Sequence, residues 1–140
     1  MGEVHIRARL TNAFDEALFR RGALTADRVR SCEVDVVVDT GTAHMVLPRE
    51  IADRLGLAIR SHQVAYLAGG HSEGVDVTEP LIVEIDGRTT ADEALMLGDE
   101  VLIGQTVLEK LDFLVDCSRQ QLVSNPKHGG QWGTTVRRAR

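Results

Sequence analysis

Asp39 closes the apolar run Val36-Val37-Val38 and opens a turn through Thr40-Gly41-Thr42. An uncharged strand that ends on an acid at a glycine turn presents one carboxylate just beyond the strand. Hydrolysis by water needs a base to take the proton and an acid to protonate the leaving group, and two adjacent carboxyls sharing one proton supply both. Such a pair titrates as a unit. The Asp-Thr-Gly triplet occurs once. A paired-acid site therefore needs a second copy of the chain, each giving one Asp39 across a two-fold axis. In that arrangement Gly41 lets the backbone turn closely and frees its amide to hold the carboxylate, and the Thr42 hydroxyl can donate to the outer carboxylate oxygen.

The elements that must position this acid are legible around it. Val4-His5-Ile6-Arg7-Ala8-Arg9-Leu10 alternates as a half-buried strand does. The polar stretch through Asp15-Glu16 and Arg20-Arg21-Gly22 reads as a loop or irregular insertion. Cys32 to Val38 is mostly apolar and β-branched and suits an interior strand. Pro48 suits the first position of a short helix, Ile51 and Leu55 share one face, and Gly56 can terminate it. Residues 62–78 read as a hairpin with Gly69-Gly70 at its bend. Leu81 to Ile85 is a strand, Asp86-Gly87 a tight turn, and Thr89 to Leu97 the return strand. Val101-Leu102-Ile103-Gly104 leads into a second short helix, Gln105 to Leu111, and echoes the first strand-glycine-helix unit as a degenerate internal duplication. Phe113 to Asp116 and Gln121 to Val123 supply closing strands. Residues 1–124 form the domain, and 125–140 read as a basic flexible tail.

Composition narrows the function classes. The chain has 140 residues and 43% hydrophobic content, enough for one modest core, but only 4% aromatics, so that core rests on Val, Leu, Ile and Ala. Residues 1–116 carry 11 basic and 21 acidic side chains, whereas 117–140 carry five basic and none acidic. An acidic body argues against nucleic acid as a partner. No stretch is long and apolar enough for a membrane span, and the opening residues lack an export or myristoylation pattern. The expectation is a soluble cytoplasmic protein with Cys32 and Cys117 as free thiols. His62, His71 and His128 lack metal-ligand spacing, and His44 reads as an exposed residue at the rim of a cleft.

Taken in order, four features resemble the retropepsin-like aspartic proteases, in particular the small single-domain bacterial kind related in fold to retroviral proteases. They are the Asp-Thr-Gly strand at 38–41, the helix Pro48 to Leu57, the segment Tyr66-Leu67-Ala68-Gly69-Gly70, and the Leu102-Ile103-Gly104 strand entering a helix. The resemblance covers roughly residues 3 to 124. It implies a mainly β acid protease fold, a closed half-barrel with two short helices, acting as a homodimer without metal or organic cofactor. It further implies that Asp39 activates water, that Thr40 hydrogen-bonds across the dimer axis, and that Tyr66 to Gly70 form a flap over an extended peptide or protein substrate. Val46, Leu67 and Ile103 would line its side-chain pockets. Two places depart from the retroviral pattern. An acid two residues after the triplet and an Arg after the later glycine are replaced by Ala43 and Gln105, so both partners of a stiffening pair are missing together. The same scaffold can also persist as a catalytically silent peptide-binding or dimerisation module, and an unrelated β-rich interaction domain could use Asp-Thr-Gly merely as a turn.

Overall fold

The computed structural model describes residues 3–138. Its first strand, β1 (Val4–Asn12), runs into helix α1 (Ala13–Arg20), and a 3-10 turn at Ala26–Arg28 leads to β2 (Ser31–Val38). Beyond the turn at residues 39–42 come β3 (Met45–Leu47), α2 (Arg49–Arg54) and the hairpin β4 (Ile59–Tyr66) and β5 (Ser72–Thr78). Four short strands follow, β6 (Leu81–Ile85), β7 (Arg88–Asp92), β8 (Ala94–Met96) and β9 (Val101–Ile103), then α3 (Gln105–Leu111), β10 (Phe113–Asp116) and β11 (Gln121–Ser124).

Nine strands make one sheet in the order β4-β5-β8-β3-β9-β2-β1-β6-β7, and β10 pairs only with β11. The alternation read from Val4 to Leu10 is real: Val4, Ala8 and Leu10 are buried, and Arg7 and Arg9 are exposed. The core is aliphatic as composition requires, with Leu10, Val36, Met45, Leu47, Leu55, Leu81, Val83, Ile103, Leu108 and Leu111 fully enclosed or nearly so. No helix among the described residues is long and apolar enough to cross a membrane.

The architecture corrects three expectations. The sheet is open, with β4 and β7 as edges, so the described residues form no closed half-barrel. There are three helices, because the polar stretch after β1 is helical. Its signal was a cap rather than an apolar face: the Asn12 side chain accepts from Asp15 N at 3.0 Å, and Asp15 and Glu16 fill the first turn. The return strand from Thr89 to Leu97 is two strands. β7 pairs with β6 while β8 joins β3 and β5, so one residue, Glu93, separates strands that have five others between them in the sheet order. An open sheet can meet that demand only by rolling its β7 edge back toward β8. The two closing strands are present as expected, β10 and β11, paired with each other outside the main sheet.

Asp15 ties α1 to the sheet. It is buried and accepts from Arg30 Nε at 2.8 Å, Arg30 Nη2 at 3.0 Å and Arg30 N at 3.0 Å. The Arg30 guanidinium holds the Asp15 carboxyl below its usual range, against the opposing effect of burial. A lowered folded-state value contributes stability above the ordinary carboxylate range, and that contribution is lost as pH falls through the lowered value. Asp15→Asn should therefore cost about 1 to 2 kcal/mol near neutrality, modest because Arg30 is half exposed. In urea melts the gap from the native protein should close below about pH 4.

Candidate active site

The site is made by a loop that must climb over a strand end. β2 and β9 are parallel neighbours with Val38 opposite Ile103, and β3 lies on the far side of β9, antiparallel to it. The chain leaving β2 at Asp39 therefore passes across the end of β9 to reach β3. It crosses at Gly104, where an added Cβ would overlap the Thr42 carbonyl oxygen. The φ of Gly104 is −104°, which any residue can adopt, so space and not backbone conformation demands glycine here.

Four backbone contacts fix this crossing. Asp39 N donates to Ile103 O at 2.9 Å and Thr42 N to Asp39 O at 3.2 Å. From the start of α3, Gln105 N donates to Thr42 O at 2.8 Å and Thr106 N to Ala43 O at 3.3 Å. The first amides of a helix have no partner within it, and α3 has no side-chain cap. The loop supplies carbonyls to that helix end, and the helix end immobilises the loop.

On this base the Asp39 carboxylate is held at both oxygens. Gly41 N donates to Oδ1 at 2.9 Å, and Thr42 Oγ1 donates to Oδ2 at 3.1 Å. Asp39 and Thr42 are half-buried, and Thr40 and Gly41 are exposed. The carboxylate is thus oriented from below and accessible from above. A cleft of about 400 Å³ lined by His5, Asp35, Val37 and Glu50, among others, lies away from Asp39.

The hairpin expected from residues 62–78 is present, extended back to Ile59, with Tyr66 opposite Ser72. Leu67 N donates to His71 O at 2.7 Å and Gly70 N to Leu67 O at 3.3 Å, and both Gly69 and Gly70 take positive φ. Tyr66 is 85% exposed and Leu67 37%, and Ala68, Gly69 and Gly70 are exposed too. At its base, Asp76 takes His62 Nδ1 at 2.7 Å and Arg49 Nη2 at 3.2 Å, which ties the hairpin to α2.

Val46 and Ile103 do not form one wall. Val46 sits opposite Leu102 and so faces the same side, whereas Ile103, next along β9, faces the other and is fully buried in the core. Val46 is itself only 6% exposed. Sequence reading passed over Leu102, which is half-exposed on Val46's face; the alternation along β9 was the available signal. It also passed over the capping of α3 by Thr42 and Ala43, for which no local signal exists. Among the described residues no three His, Cys, Asp or Glu side chains converge as a metal site.

A mainly β chain with a strand-borne Asp-Thr-Gly, a glycine crossing and a glycine-tipped hairpin has the retropepsin-like aspartic protease fold. The profile of the family described as aspartyl protease matches residues 27–115, and the chain belongs to that family. It is similar to the crystal structure of a retropepsin-like aspartic protease from Rickettsia conorii, with a TM-score of 0.55 and 21% identity over 83% of this chain and 78% of that one. A retroviral protease-like domain of Ddi1 from Leishmania major matches with a TM-score of 0.49 and 16% identity, over 67% of this chain and 80% of that one. No curated protein sequence matches.

Gly104→Ala should force the loop off β9 and cost about 2 kcal/mol or more. A thermal melt checks this. Gly74→Ala, where a Cβ meets open space, is the control and should change the midpoint far less.

Proposed function

We propose that the protein is an aspartic endopeptidase whose water-activating pair is Asp39 from each of two identical chains. The observation that carries this reading is the carboxylate itself: both oxygens are held by Gly41 N and Thr42 Oγ1 at the end of a strand, in a sequence with one such triplet. An acid oriented this carefully and left half-exposed at a strand end is half of a pair.

In the dimer one Asp39 is ionised and the other protonated, because two adjacent carboxylates cannot both carry charge. The ionised one takes a proton from water as that water attacks the peptide carbonyl; the protonated one donates toward the carbonyl oxygen. Collapse of the tetrahedral intermediate breaks the C–N bond as a proton passes to the amine. Thr40, exposed beside Asp39, bonds across the two-fold axis on this reading. The substrate lies as an added strand under the Tyr66 to Gly70 hairpin, with Val46 and Leu67 among its apolar contacts, while Ile103 supports the site from the core and through its carbonyl. Neither step calls on a metal or organic cofactor. Gln105 at the start of α3 bonds Glu109 within its own helix, so the pairing of loop acid with Arg that stiffens retroviral enzymes has no counterpart there.

Asp39→Asn should abolish cleavage of a mixed peptide library at every pH from acid to neutral, a loss of about 10³-fold or more, while sedimentation still shows the dimer. Unchanged cleavage refutes the assignment. Peptide binding without cleavage in the native chain, surviving Asp39→Asn, identifies the silent binding module instead.

A further inference from the structure

The far end of α3 carries a second polar cluster, made by residues that read as a flexible tail in the sequence. Asp112 ends the helix in the left-handed conformation, with φ 62°, and is 5% exposed. Its Oδ2 lies 2.6 Å from His128 Nδ1 and accepts from Gly133 N at 3.1 Å, and its Oδ1 accepts from Asn125 Nδ2 at 3.1 Å. The other ring nitrogen of His128 lies 3.1 Å from Thr135 Oγ1. Trp132 Nε1 donates to Lys110 O at 3.0 Å, and Asn125 N donates to Asp112 O at 3.1 Å. From β7, Arg88 donates to Leu111 O, Asp112 O and Gly130 O. Residues 125–135 thus wrap the last turn of the helix whose first turn holds Thr42 and Ala43.

We propose that residues 125–135 are a strap whose grip on α3 is set by the charge of His128, tight while the imidazole is protonated and looser once it is neutral. The Asp112 carboxylate can only accept, so Nδ1 donates to it, while the Thr135 hydroxyl can serve Nε2 of either the neutral or the charged ring; the charge therefore acts through the contact with Asp112. The charged groups around it come from every neighbouring element. α3 contributes Asp112 and, lining the same cleft of about 330 Å³, Glu109. Lys110 lies in that last turn, Lys127 adjoins His128 in the chain, and Arg88 of β7 reaches the strap at Gly130 O. The nearest charge, and the only one of these in contact with the ring among the described residues, is the Asp112 carboxylate.

His128 holds the Asp112 carboxyl below its usual range, against desolvation and with help from Gly133 N and Asn125. A depressed carboxyl contributes stability above the ordinary carboxylate range and loses it only as pH falls through the lowered value. Asp112 is therefore ionised throughout the interval, around pH 6.5, in which an ordinary imidazole changes charge. The ion pair exists only while the ring is protonated. Resting on the reading of Asp39 as half of a shared-proton pair, the strap steadies α3, and with it the loop that carries Asp39, while His128 is protonated.

Amide exchange of the full chain, corrected for intrinsic rates, tests this without any substrate. Protection across residues 105–111 should fall about threefold to tenfold between about pH 5.5 and about pH 8. His128→Gln, which donates but carries no charge, should sit at the high-pH level throughout. Equal protection at both pH values in the native chain, or a His128→Gln protein that keeps the native pH response, overturns the proposal. Should that variant fail to fold, NMR titration of the His128 ring in the native chain decides: it must track the protection of α3, and a titration out of step with it overturns the strap. Loss of peptide cleavage plays no part in these readouts, so the strap and the protease reading fail separately.

Discussion

The approach of Thr42 onto Gly104 is the contact on which the rest of the structure depends. Two parallel strands, β2 and β9, end side by side, and the chain leaving one must cross the other to reach β3. Without a side chain at position 104 the backbones meet, and only then can Asp39 N reach Ile103 O while Thr42 O and Ala43 O take the first amides of α3. Loop and helix start satisfy one another, which leaves the loop few ways to move. Orientation of the Asp39 carboxylate by Gly41 and Thr42 follows from that fixed backbone. A general base is useful only at a defined position, and on the proposed reading this preorganisation is what would let one carboxylate contribute to a shared site.

The helix transmits this constraint. α3 buries Val107, Leu108 and Leu111 in the core, offers its first amides to the loop that carries Asp39, and ends at Asp112 in a cage of polar contacts. Arg88 binds the carbonyls of Leu111 and Asp112 and lies 4.5 Å over the Phe113 ring, which joins the end of the helix to β7 and β10. Both ends of a short helix are thus secured by other parts of the chain. Helices this short have little stability of their own and owe their form to packing and to such end contacts.

Much of this was legible in the residues because it is written locally. The alternation of Val4 to Leu10, the β-branched run to Val38, the Asp86-Gly87 turn and the glycines of the Tyr66 to Gly70 hairpin each impose a conformation within a few residues. What escaped reading is set by contacts distant in sequence. Helix α1 is stabilised by Asn12, which also donates to Leu55 O, and by Asp15 gripping Arg30, so its polar surface looked like a loop. The break at Glu93 between β7 and β8 is dictated by the sheet's roll and has no proline or glycine to mark it. At the site, Asp39, Gly41 and Thr42 were recognisable by type and spacing. The opposite facing of Val46 and Ile103 needed the strand register, and the docking of His128 needed Asp112 to be buried beside it.

The central claim is that chemistry requires an Asp39 from each of two chains, and subunit mixing tests it most directly. The native chain is equilibrated with increasing Asp39→Asn at constant total protein, and peptide cleavage is measured at each ratio. A shared pair predicts activity that falls as the square of the native fraction, since only dimers with two native chains turn over. Activity strictly proportional to the native fraction would show that each chain acts alone, and would contradict the account.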